Sequence, residues 1–188
     1  DSFGASVAVS GDTVVVGAPG EDSKMALLGG TQSDNTAPGA GAAYVFQRVG
    51  STWTQQAFLK ANNAFEGQFG HSVALSGDTV LIGSPTEDTD VTGVWHGDEV
   101  FNLSPPYTRV NDGDGAAYVF TRSGSVWTQQ AMLKADTHYG IAGVGLTVAL
   151  SGDTAVIGGG AHTVIGFSGF AYVFVRTGST WSRQAELQ

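Results

Sequence analysis

The chain has 188 residues, of which 41% are hydrophobic and only 13% charged, with 28 glycines and no cysteine. Its 8 basic and 17 acidic residues give a formal charge of −9, which disfavours a nucleic-acid backbone or an anionic membrane as partner. The missing cysteine excludes disulfides, a thiol nucleophile and a cysteine-ligated zinc. No run approaches the roughly 18 apolar residues of a membrane span, so no membrane insertion is expected. The chain opens on Asp1 with no visible signal peptide; the expectation is a removed leader or a piece of a longer chain.

The elements repeat in order along the chain. Ser6–Gly17, Ser72–Gly83 and Thr147–Gly158 are three copies of one segment. Its first part alternates small polar and apolar residues, which predicts a strand with two unlike faces. Gly11-Asp12, Gly77-Asp78 and Gly152-Asp153 then stand between apolar runs, where a tight hairpin turn belongs. The run Val14-Val15-Val16 and its equivalents predict a second strand buried on both faces. A third strand follows at Ala43–Phe46, Ala117–Phe120 and Ala171–Phe174. Gly50-Ser51, Gly124-Ser125 and Gly178-Ser179 mark the turn into a fourth strand, opened by Trp53, Trp127 or Trp181 and ending at Leu59, Leu133 or Leu187.

Each unit thus reads as a four-stranded antiparallel meander, with boundaries at 1–61, 62–135 and 136–188. A sheet apolar on both faces is not stable alone. Copies stacked face to face around an axis resolve this, so the fold class is all-β, with three consecutive β-propeller blades. A β-sandwich needs no sequence repeat, and solenoid coils are usually shorter.

The units differ mostly between strands two and three. That connection runs from about Gly20 to Ala40 in the first unit, Thr86 to Asp114 in the second and Ala161 to Ser168 in the third. Insertions at one end of a regular scaffold build one irregular face, and such loops commonly carry function; drift in exposed loops is the plain alternative.

Phe3-Gly4 with Gly17-Ala18-Pro19, and Phe69-Gly70 with Gly83-Ser84-Pro85, resemble the FG-GAP repeat. The third unit departs, with Val144-Gly145 and Gly158-Gly159-Gly160. The resemblance implies the β-propeller found at the head of integrin α subunits and in bacterial surface proteins. It also implies a secreted or cell-surface setting, and adhesion to a protein or glycan ligand through the loop-rich face. Integrin-type repeats carry an Asp-x-Asp-x-Asp calcium loop between the first two strands. Here that turn holds a single carboxylate, Asp12, Asp78 or Asp153, too few for the six to eight oxygens that calcium takes. The Asp is expected to shape the turn through its own backbone.

No cofactor is required, and calcium is the one cofactor the sequence leaves open. Its candidate ligands are Glu87, Asp88 and Asp90 at the start of the long second loop and Asn111, Asp112 and Asp114 at its end. Those ends must converge, which gathers oxygen ligands for a hard cation; a solvated acidic loop with Asp-Gly turns is the plain alternative. Glu21, Asp22 and Asp34 make a weaker version in the first loop. The same long loop carries Trp95, His96, Phe101 and Tyr107, candidates for ligand contact or for a small core that holds the loop together. Asn102-Leu103-Ser104 is a glycosylation sequon, weakened by Pro105. His71, His96, His138 and His162 form no local ligand motif, and no nucleophile elbow exists, so no enzyme is expected.

Three blades fall short of the usual four to eight in a ring. The outer faces of the first and third units are therefore expected to be apolar and open. Further blades from the same chain or another copy would cover them: a longer propeller, a three-plus-three ring, or a head-to-tail filament. A self-assembling building block is accordingly the second functional reading.

Overall fold

The computed structural model describes residues 1–24, 32–61, 67–97, 113–136, 143–163 and 166–188, with backbone alone at 161–163 and 166–168. The described residues form strands, and three antiparallel sheets hold them.

Blade 1 is β1 (Ser6–Ser10), β2 (Thr13–Ala18), β3 (Ala42–Val49) and β4 (Thr52–Leu59), paired in chain order. Blade 2 is β5 (Ser72–Ser76), β6 (Thr79–Ser84), β8 (Ala116–Ser123) and β9 (Val126–Leu133). It gains a fifth, outermost strand, β7 (Val94–His96), paired to β9. Blade 3 is β10 (Thr147–Ser151), β11 (Thr154–Thr163), β12 (Gly166–Thr177) and β13 (Thr180–Leu187). The three-unit meander expected from the repeat is the observed architecture, a run of β-propeller blades.

The turn residues act as their chemistry requires. Ser10 pairs with Thr13 across Gly11-Asp12, and only Gly11 has a positive φ, 56°. A glycine with positive φ at the first central position is the signature of a type II′ hairpin turn. At the opposite end, Gly70 has φ +90°, and a Cβ there would lie 2.2 Å from the Ala42 carbonyl oxygen. The glycine of the Phe-Gly pair is thus fixed by close backbone approach to the preceding blade.

Alternation along each strand gives every blade an aromatic face and a small aliphatic face. Val15, Ala43, Val45 and Leu59 of blade 1 meet Phe69, Val80, Ile82, Tyr118, Phe120 and Met132 of blade 2 in one core. Leu81, Ala117, Val119, Ala131 and Leu133 of blade 2 meet Val144, Ala155, Ile157, Tyr172, Phe174 and Trp181 of blade 3 in the second. Each junction therefore joins the aliphatic face of one blade to the aromatic face of the next. This burial of apolar area is the main stabilising term.

One expected boundary moves. The connection placed at Ala161 to Ser168 is mostly strand: Ala161, His162 and Thr163 pair with Ser168, Phe167 and Gly166. The antiparallel register set lower in the blade runs on without a shift, so only residues 164 and 165 join the strands. The long connections of blades 1 and 2 replace that hairpin tip.

Candidate functional site

The molecule has two unlike ends. The turns between strands one and two and between three and four lie at one end. The strand two-to-three connections and the links between blades lie at the other.

The first end is a repeated polar latch. Asp12 does not act on its own turn, contrary to the expectation; its Oδ1 accepts from Arg48 Nε at 2.8 Å and from Nη2 at 2.5 Å. Asp78 and Asp153 hold Arg122 and Arg176 in the same way. The turn is short, so strand three passes within reach of its carboxylate, and a planar guanidinium fits there. Each guanidinium also lies over the Trp of its own fourth strand, at 5.5, 5.3 and 5.2 Å from the ring centroid in blades 1, 2 and 3. This is cation–π geometry.

The latch then crosses to the preceding blade. Arg122 Nη1 donates to Gln47 Oε1 at 2.6 Å and to Thr13 Oγ1 at 3.3 Å, and Trp127 Nε1 donates to Gln56 Oε1 at 2.9 Å. One blade on, Arg176 Nη1 reaches Thr79 Oγ1 at 3.2 Å and Gln130 Oε1 at 3.3 Å, and Trp181 Nε1 reaches Gln130 Oε1 at 2.8 Å. Gln56 and Gln130 are free to accept because a β-bulge leaves each out of the ladder: Val45 pairs with Ala57 and Phe46 with Gln55, and blade 2 repeats the shift. A bulge re-aims the extra side chain, here toward the next blade.

The second end is rooted by buried charge. Glu87, Thr89 and Lys134 are all buried, and Lys134 Nζ pairs with Glu87 Oε2 and donates to the Thr89 carbonyl at 3.0 Å. Glu87 Oε1 also accepts from the Thr89 amide at 3.0 Å. Blade 1 has a looser counterpart. Buried Lys60 donates to the Gly41 carbonyl at 2.5 Å, and the Tyr44 hydroxyl donates to Glu21 Oε2 at 3.3 Å. Burial drives Lys60 down to about 8 against the pull of Glu21, Asp22 and Asp34. Burial, helped by the Glu21 charge, pushes the Tyr44 phenol up to about 12. Asp22 and Asp34 shape the first loop, accepting from Gly39 N at 2.8 Å and from Lys24 N and Thr36 N at 3.2 and 3.1 Å. Hydrogen bonding to Thr36 is the leading cause that holds the Asp34 carboxyl below its ordinary value.

Of the candidate cation ligands, Glu87 is turned to Lys134, and Asp114 is buried beside the Gly115–Val144 bridge. Asp88 and Asp90 lie on the same loop root. Among the described residues, no three His, Cys, Asp or Glu side chains gather in a way that could hold a metal ion. Asn111 and Asp112 lie outside the described residues. Of the aromatic candidates, Trp95 and His96 sit on β7. Trp95 Nε1 donates to the Thr92 carbonyl at 2.9 Å, while its ring packs against the first core. His96 Nε2 accepts the Trp181 amide of blade 3 at 3.0 Å. Both therefore fasten an edge strand between blades. Phe101 and Tyr107 lie outside the described residues. The latch arginines and bulge glutamines escaped the sequence reading, although Arg48, Arg122 and Arg176 recur at one repeat position in a chain with only 8 basic residues.

Stacked four-stranded meanders, joined by one repeated junction, define a β-propeller repeat protein. The FG-GAP repeat matches residues 1–46 and 53–97, and the chain belongs to the FG-GAP repeat family. No curated protein matches it. Among solved structures, that of YjhT aligns over 96% of this chain and 44% of its own, with 11% identity and a TM-score of 0.43. The chain thus spans less than half of that protein's length. Among the described residues no helix is long and apolar enough to cross a membrane.

Proposed function

We propose that this chain is a non-catalytic binding module of a secreted or cell-surface protein, and that it engages a protein or glycan ligand through the strand two-to-three connections. One observation carries this reading. The latch end is nearly identical in all three blades, whereas the opposite end holds two long connections and a plain hairpin, each long connection rooted on a buried Lys–Glu region. Variation mounted on a rigid base is how repeat scaffolds build a binding face. The net charge of −9 favours a neutral or basic ligand surface. Calcium, if it binds, belongs to the second connection and serves to order it.

The test replaces residues 97–113 with a short Gly-Ser turn and screens both proteins against a glycan array and a panel of extracellular-matrix proteins. Ligands held by the parent and lost by the shortened chain, with the thermal transition retained, are expected. A ligand that binds both chains equally would defeat the reading.

A further inference from the structure

The two outer faces of the chain are unlike, and they match each other. Blade 1 leaves its aromatic face open, with Phe3, Val7 and Val9 exposed and Tyr44, Phe46 and Phe58 half-covered. Phe3 is 57% exposed, while Phe69, at the same repeat position in blade 2, is 1% exposed because blade 1 covers it. Blade 3 leaves its aliphatic face open; Leu187 is 54% exposed where Leu59 is 4%. Both internal junctions join an aliphatic face to an aromatic face, and these two open surfaces are of the same two kinds.

The polar latch is divided the same way. The Arg48 side chain is 47% exposed, against 18% and 16% for Arg122 and Arg176, which reach a preceding blade. Arg48 and Trp53 are the donors of such a junction. Blade 3 holds the acceptors: Thr154 stands where Thr13 and Thr79 stand, and Gln184 where Gln56 and Gln130 stand, extruded by the same bulge at Val173/Phe174. Two further cross-blade bonds repeat. The Ser6 and Ser72 hydroxyls donate to the Gly70 and Gly145 carbonyls at 2.8 Å, and Ser10 and Ser76 Oγ accept from Gly77 and Gly152 amides at 3.2 and 3.0 Å. Blade 3 keeps both hydroxyls, as Thr147 and Ser151, and blade 1 keeps both glycines, as Gly4 and Gly11.

We propose that a second copy of this chain docks head to tail, the aromatic face of its blade 1 seated on the aliphatic face of blade 3. The contact is heterologous, so it closes into a six-bladed ring if its rotation permits and otherwise propagates; six blades lie within the propeller range. One element of the internal junctions is missing at this join. Gly41 and Gly115 form parallel bridges with Phe69 and Val144, whereas Gly169 is paired to Gly160 within the long hairpin of blade 3. The join also has no covalent link, so it is weaker than the internal ones and depends on concentration.

Gly158 supplies the decisive variant. A Cβ on Gly17 or Gly83 would lie 2.0 Å from the Gly70 or Gly145 carbonyl oxygen of the following blade. The nearest atoms to a Cβ on Gly158 all belong to Thr147 of its own blade: the carbonyl oxygen at an ordinary 3.9 Å, and Oγ1 at 2.4 Å, which a rotamer change relieves. Gly158→Ala therefore spares the fold and blocks the seat of an incoming Gly4. Sedimentation velocity over a hundredfold range of chain concentration should show monomer converting to dimer or longer species. Gly158→Ala and, independently, Arg48→Glu should each weaken that association at least tenfold; in dilute solution Gly158→Ala should keep the parent's circular dichroism and melting, and Arg48→Glu should keep the circular dichroism while melting a few degrees lower, because it also loses the Asp12 and Trp53 contacts of its own blade. A parent chain that stays monomeric throughout, or a folded Gly158→Ala that associates like the parent, overturns the proposal.

Discussion

Replacing Arg122 by alanine tests whether the latch holds blades together or merely decorates a turn. Arg122 binds Asp78 and Trp127 of its own blade, and Gln47 and Thr13 of blade 1. Asp78 is largely exposed, so that ion pair contributes about 0.5 kcal/mol. The stacking on Trp127 adds about 0.5–1 kcal/mol, and the charged hydrogen bond to Gln47 in a half-buried site about 1.5 kcal/mol. The total is about 2.5–3 kcal/mol. Arg48 makes the same contacts to Asp12 and Trp53 and none to another of the described blades, so Arg48→Ala should cost only about 1–1.5 kcal/mol. Urea denaturation of both variants in dilute solution reads the difference directly, with Arg122→Ala/Gln47→Ala as the coupled pair of a double-mutant cycle. Equal losses for Arg48→Ala and Arg122→Ala, or no coupling to Gln47, would refute the idea that the arginine acts between blades.

The remaining predictions use the same contrasts. Phe69→Ala empties a buried site against Tyr118 and Phe120 and should cost about 3–5 kcal/mol, whereas Phe3→Ala should cost under about 1 kcal/mol at its exposed position; matching melting shifts would contradict the junction. Lys134→Met leaves the Glu87 carboxylate buried without its cation and should cost about 3–5 kcal/mol, read as a drop in urea midpoint that Lys134→Met/Glu87→Met largely restores. Lys60 titrates near 8 in the fold and about 10.4 when unfolded, so the unfolded chain holds more protons in between and stability should rise with pH across that window. Tyr44 has the opposite sign: its phenol is raised to about 12 from about 10, so its contribution is full below pH 10 and lost as pH climbs toward 12. The Lys60→Met protein should lose the rise and keep the fall in a pH series of chemical melts; an unchanged rise would assign it elsewhere. Calcium added to chelator-treated protein should, if the second connection binds it, raise the melting temperature, and the effect should vanish with Asp112→Asn/Asp114→Asn.

The sequence by itself determined the repeat, and with it the fold. Recurrence of Gly-Asp and Gly-Ser-x-Trp fixed where each hairpin turns, because only a few residue types satisfy those backbone conformations. Alternation fixed which side chains share a face, and two apolar faces per sheet demanded stacking. Tertiary structure alone decided what the repeated polar residues do. Asp12 looked like a self-contained turn former until strand three brought Arg48 beside it. Gln56 has nothing local to single it out, and only the bulge turns it outward. Trp95 and His96 stood as loop aromatics until β7 paired with β9 and met blade 3. These roles arise between residues distant in the chain, and no local propensity encodes them; they follow from register and from the angle at which one twisted sheet lies on the next.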